Sequence, residues 1–252
     1  MATQSNTPDQ AYELAQGFAS SGRYLDAISA YSTAIEGGMI SPNALIGRGL
    51  AFQRIDANDR AVVDFDEVID SAPDWPGISV AFYGRAVSLH ALGRIGEALS
   101  DCNELICRDP QNSHAYYLRG TIHKGMKQFD DALHDMDQVI EITPSYWEAL
   151  FERGKLYLQQ QAPEQAIADF TLAMTHQPTV SYVPEILRLR GIAEQTIGNH
   201  RAAIQDFTDS IALAPSDGSL YLRRSRSFDE VGERTLAAED FEKGMRMSRR
   251  ET

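Results

Sequence analysis

Cysteine is nearly missing from this chain: only Cys102 and Cys107 occur in 252 residues. Both fall on one predicted helix, which sets them about 140° apart around its axis. They cannot bridge one another there, so no disulfide framework supports the fold, and two free thiols suit a reducing compartment. Positive charge is scarce too. Lys and Arg number 23 against 36 Asp and Glu, a formal net charge of −13. A nucleic-acid binder needs a basic footprint, and this acidic chain would repel a phosphate backbone. The short run Arg246, Arg249, Arg250 reads as a helix end with favourable dipole charge. No apolar run approaches membrane-spanning length, and the polar start, Met1 to Asn6, offers no signal-peptide core. The expectation is a soluble, cytoplasmic protein.

Catalytic punctuation is also lacking. There is no phosphate loop, no zinc-ligand spacing and no nucleophile elbow. The six histidines include no pair at the i,i+4 spacing of a helical metal site. A site needs several convergent groups, so the chain is expected to be no enzyme and to carry no cofactor and no metal.

What is present is a period. Ala27, Ala61, Ala98, Ala132, Ala166, Ala203 and Ala237 stand 34, 37, 34, 34, 37 and 34 residues apart. Around each, one frame of residues returns. Tyr116, Arg119-Gly120, Phe129, Asp135 and Pro144 are answered by Leu150, Arg153-Gly154, Pro163, Asp169 and Pro178. Each residue type has a physical reason. A small residue eight places into the unit, such as Gly49, Gly154 or Gly191, admits a second helix closely. A large one at place twenty-four (Tyr31, Phe65, Cys102, Met136, Phe170, Phe207, Phe241) fills the space towards the next unit. Prolines 73, 110, 144, 178 and 215 stop the second helix. Thr7-Pro8-Asp9-Gln10 and Ser145-Tyr146-Trp147-Glu148 read as capping boxes, and Ser41-Pro42 as a cap followed by proline.

This pattern resembles the tetratricopeptide (TPR) repeat, in its Arg-Gly/Asp-Phe form, with seven units in register. The resemblance implies an all-α fold: a right-handed superhelical α-solenoid of helix-turn-helix units starting near residues 8, 42, 79, 113, 147, 184 and 218. Residues 1–7 are expected to be a flexible N-terminus, 8–247 a single solenoid, and 248–252 a basic tail. Two connections, Asp74 to Ser79 and Thr179 to Pro184, are three residues longer than the others and carry Trp75 and Tyr182. Those rings are expected to cover a helix edge.

Six units carry Arg at place seven (Arg48, Arg85, Arg119, Arg153, Arg190, Arg224) and Asp sixteen residues later (Asp64, Asp101, Asp135, Asp169, Asp206, Asp240). Unit one lacks both, with Leu14 and Ala30 there. The two places change together within one chain, which predicts an interhelical ion-pair ladder rather than a row of anion-binding arginines.

By family resemblance the first helix of each unit lines a concave groove at places two, five, nine, twelve and thirteen. Here that stripe is aromatic at its centre and basic towards its end. The expected partner-binding residues are Tyr83, Tyr117, Lys124, Phe151, Lys155, Arg188 and Arg226. The Lys and Asn set with which co-chaperone TPR domains clamp a C-terminal carboxylate does not occur in any three consecutive units. The expected function is a non-catalytic scaffold or adaptor holding a peptide or helix of a partner protein. Two alternatives are an assembly factor using the acidic outer face, in a kinesin-light-chain-like role, and a self-associating structural protein pairing through an uncapped terminal repeat. No nucleic acid and no membrane insertion are expected.

Overall fold

The computed structural model describes residues 7–249. The expected flexible stretch before Thr7, and the tail beyond Arg249, lie outside the described residues. The fold is all-α, with helices in sequential pairs in the manner of a TPR-like α-solenoid. Two compact units divide the chain after Lys127. The first holds α1 (Pro8–Ser20), α2 (Tyr24–Glu36), α3 (Pro42–Arg54), α4 (Asn58–Ser71), α5 (Ile78–Ala91), α6 (Ile95–Arg108) and α7 (Ser113–Gly125). The second holds α8 (Phe129–Ile142), α9 (Trp147–Gln159), α10 (Pro163–Thr175), α11 (Val183–Thr196), α12 (His200–Leu213), α13 (Gly218–Glu230) and α14 (Arg234–Ser248), with a 3-10 turn at Val180–Tyr182.

Within each unit every helix packs on the next, and the odd-numbered helices also touch one another: α1 on α3, α3 on α5, α5 on α7, then α9 on α11 and α11 on α13. Small residues set these approaches. A Cβ on Gly49 would sit 2.9 Å from the Phe65 ring, and one on Gly84 of the following pair 2.5 Å from it. Phe65 is therefore a fully buried knob held between its own first helix and the next. Phe170 meets Gly154, and Phe207 meets Gly191, in the same way.

Helix starts follow local chemistry. Thr7 accepts from the Gln10 amide while the Gln10 side chain accepts from the Thr7 amide, a complete capping box. Ser41 caps α3 ahead of Pro42. The box expected at Ser145 does not form: Tyr146 is the N-cap of α9 and no side chain caps it. The segment from Thr143 turns tightly instead, with the Tyr146 amide donating to the Thr143 carbonyl at 3.0 Å, and this carries the helix start past the serine. Turns between the two helices of a pair use a left-handed residue, and Asp56, Lys127 and Gln161 take that role without being glycine. Trp75 is half-buried against the core around Phe82, and Tyr182 meets Trp147 edge-on at 5.1 Å, so both long connections cover helix edges.

Candidate functional site

Five rungs of the ladder lie inside one compact unit or the other. Arg48 holds Asp64 through Nε at 2.9 Å and Nη2 at 2.7 Å. The same two-pronged bond joins Arg85 to Asp101, Arg153 to Asp169, Arg190 to Asp206 and Arg224 to Asp240. Arg119 and Asp135 fall in different units; Asp135 is 1% exposed. Burial pushes the Asp169 carboxyl up, and the Arg153 hydrogen bonds pull it back without overtaking burial. The same bonds raise the guanidinium of Arg153, and likewise those of Arg85 and Arg190.

Each guanidinium also spends its third nitrogen on the preceding pair. Nη1 of Arg48 donates to Ser32, of Arg85 to Asp66, of Arg119 to Asn103, of Arg153 to Asp137, of Arg190 to Thr171 and of Arg224 to Thr208, at 2.6–3.2 Å. All six acceptors occupy place twenty-five and all are short oxygen-bearing side chains. The sequence carried this signal, a Ser, Asp, Asn or Thr directly after each of the first six large packing residues, but the expected ladder counted one acceptor per arginine. A cavity of about 210 Å³ beside Arg85 is lined by Asp66, Asp101, Arg94 and Glu97, whose charges already answer one another. These arginines are structural and have little capacity left for a ligand.

The expected groove residues divide between the units. In the first, Tyr83 on α5 is half-buried, its hydroxyl pushed up by burial, and its ring meets His114 edge-on at 6.1 Å. Tyr117 and Lys124 lie half-buried on α7. In the second, Phe151 on α9 is only 5% exposed and packs against Phe170 and Tyr182. What a partner can reach there is the Lys155 ammonium, 4.8 Å over the Phe151 ring and bonded to Glu152 at 2.9 Å. Arg188 on α11 grips Glu185 with two bonds, of 2.7 and 2.6 Å. Arg226 on α13 is exposed. Arg223, absent from the expected set, is half-buried beside Arg188 and Arg226, and its guanidinium is lowered by burial and then by those two cations.

Charge is segregated by helix. The odd-numbered helices carry twelve Lys and Arg against eight Asp and Glu; the even-numbered ones carry six against twenty-two. Setting the six ladder arginines and six ladder aspartates aside leaves six against eight and six against sixteen. Among the described residues no group of His, Cys, Asp and Glu could hold a metal ion, and no helix is long and apolar enough to cross a membrane.

A family model described as "Tetratricopeptide repeat" matches residues 12–76 and 117–178. Human tetratricopeptide repeat protein 13 is 31% identical over 127 residues, 48% of this chain; the match spans only 14% of that much longer protein. Among solved structures, the C-terminal part of a TPR repeat-containing protein from Cytophaga hutchinsonii superposes with a TM-score of 0.76 at 15% identity, covering 94% of this chain and 95% of that one. A tetratricopeptide repeat protein from Parabacteroides merdae gives 0.66 at 19% identity, with 97% and 94% covered. MamA from Desulfovibrio magneticus gives 0.61 at 20% identity over 69% of this chain and 98% of that one. At these identities the likeness is one of fold.

Proposed function

Because this chain belongs to the tetratricopeptide repeat family, we propose that it is a non-catalytic scaffold or adaptor that holds a peptide or helix of a partner protein against its first-of-pair helices. The observation that carries this reading is the charge segregation: near neutrality on the odd-numbered helices, strong acidity on the even-numbered ones. A partner segment meets little repulsion on the first set and much on the second. Tyr83, Tyr117 and Lys124 supply the contact surface of the first compact unit; Lys155, Arg188 and Arg226 supply that of the second, with the Phe151 ring as the buried floor beneath Lys155. Aromatic and Arg side chains are the usual anchors of such interfaces.

The test is capture of the partner from source cells, followed by affinity measurement on variants. Tyr117→Ala with Lys124→Gln should weaken binding by about 2 kcal/mol, about thirtyfold in Kd, with helix content unchanged. The charge reversals Glu67→Lys and Asp70→Lys on α4 should leave it near wild type. The opposite outcome would assign binding to the acidic even-numbered helices, as in an assembly factor. A second reading, self-association, has its own observation: Phe241 on α14 is 55% exposed, whereas the same place in the other pairs is at most 4% exposed. Light scattering that shows a concentration-dependent mass, abolished by Phe241→Asp, would establish it.

A further inference from the structure

Arginines on the odd-numbered helices fall into two groups. Arg48, Arg85, Arg119, Arg153, Arg188, Arg190 and Arg224 are each hydrogen-bonded to a side chain. The side chains of Arg54, Arg223 and Arg226 make no hydrogen bond or ion pair with any described residue. Arg54 and Arg226 are exposed, so water satisfies them. Arg223 is the exception, half-buried and still without a partner.

Its neighbourhood deepens the anomaly. Arg188 from α11 and Arg226 one turn further along α13 both act on it as like charges. Asp217 is the one carboxylate whose field opposes them, and its side chain is already spent on the Ser219 amide at 2.9 Å. Glu185 is bound to Arg188, while Asp229 and Glu230 lie exposed at the far end of α13. The helices around the cluster are fixed: the Gln195 side chain donates to the Arg223 carbonyl at 2.8 Å and to Ser227 at 2.6 Å, tying α11 to α13. A chain with 36 carboxylates leaves this cation without one. Holding an unpaired, partly desolvated guanidinium among like charges costs stability. Such costs concentrate where a ligand repays them.

We propose that Arg188, Arg223 and Arg226 form an anion-receiving subsite on the α11–α13 face that takes the side-chain carboxylates of an acidic segment of a partner protein. The inference rests on the groove reading above and adds the partner's chemistry to it. Guanidinium forks grip carboxylates through paired N–H donors. A carboxylate arriving here gives Arg223 its missing acceptor and relieves the repulsion among the three cations in one step.

The probe is a fluorescein-labelled peptide of alternating Glu and Leu, with a control in which every Glu is Gln, read by anisotropy on the full chain at low salt. The Glu peptide should bind at least about tenfold more tightly than the control, and high salt should erase the difference. Arg223→Gln and Arg226→Gln should each weaken the Glu peptide about fivefold or more and leave the control unchanged, a loss of about 1 kcal/mol. Arg201→Gln, on an exposed site of α12, should change neither. Melting gives a second readout: Arg223→Gln should raise Tm at low salt by about 2 °C or more, a gain that salt removes. Equal binding of both peptides, no binding of the Glu peptide, or a fall in Tm for Arg223→Gln would each overturn the subsite. These failures are separable from failure of the groove reading. If native-partner capture is insensitive to Tyr117 and Lys124, the groove reading falls while the peptide arms still decide the subsite.

Discussion

A ladder arginine answers three acceptors at once, and its loss is felt through the aspartate it leaves behind. Asp169 is 4% exposed and takes both of its side-chain bonds from Arg153. Arg153→Ala should therefore destabilise the fold by about 3 kcal/mol. The double change with Asp169→Ala should cost less than the single one, since no buried charge remains. A urea denaturation cycle in which the two changes simply add would remove the pairing from the stability argument. The pH dependence has a definite sign. Burial raises the Asp169 carboxyl in the folded chain, so the folded state holds that proton more firmly than the unfolded state does. The group's contribution is most favourable below the ordinary carboxylate range and is lost as pH rises through its folded value. Removing Arg153 takes away the influence that pulls the value down. The Arg153→Ala penalty should thus be full at neutral pH and shrink as pH falls into the carboxylate range. Comparing urea midpoints of variant and wild type at pH 7 and near pH 4.5 checks it; a penalty that grows on acidification would contradict the account.

At the scale of helices, register depends on where the chain dispenses with a Cβ. Gly84 on α5 and Gly17 on α1 are both helical glycines. A Cβ at Gly84 would press on the fully buried Phe65 ring, whereas one at Gly17 meets nothing within 4 Å. Gly84→Ala should cost about 1–3 kcal/mol by overpacking. Gly17→Ala should gain up to about 1 kcal/mol through helix propensity alone. Thermal unfolding of the two variants distinguishes packing from propensity, and a stabilised Gly84→Ala protein would show that the α4–α5 contact is loose. The same knob explains the period of the chain, because each large residue at place twenty-four needs a small surface on its own first helix and a receptive one on the next.

For the molecule as a whole, stability comes from neighbours stacking on neighbours, so helices with one neighbour fewer open first. Phe207 on α12 is fully buried beneath α13, while its counterpart Phe241 on α14 is 55% exposed. Burying a Phe side chain is worth about 1.5–3 kcal/mol. Amides in the middle of α14 should accordingly exchange with deuterium at an opening free energy lower by about that amount than those of α12. Equal protection in the two helices would mean that something covers Phe241 in solution, which is the outcome the self-association reading requires.

The repeat, the helix pairs, the closing prolines and the Asp partners of Arg48, Arg85, Arg153, Arg190 and Arg224 were legible because they are periodic and local: a spacing of sixteen residues recurs with its two members changing together, as at Leu14 and Ala30. The Thr7 box was legible for the same reason, and the Ser145 box failed because a tight turn from Thr143 competed for the helix start. Tertiary structure alone decided three things. It set the third bond of each arginine to the preceding pair, it placed Tyr182 over Phe151 so that this ring is a core element with a small exposed edge, and it left Arg223 without a partner. Each of these depends on which side chains two different helices present to one another, and that follows from the packing angle and distance between helices rather than from spacing along the chain.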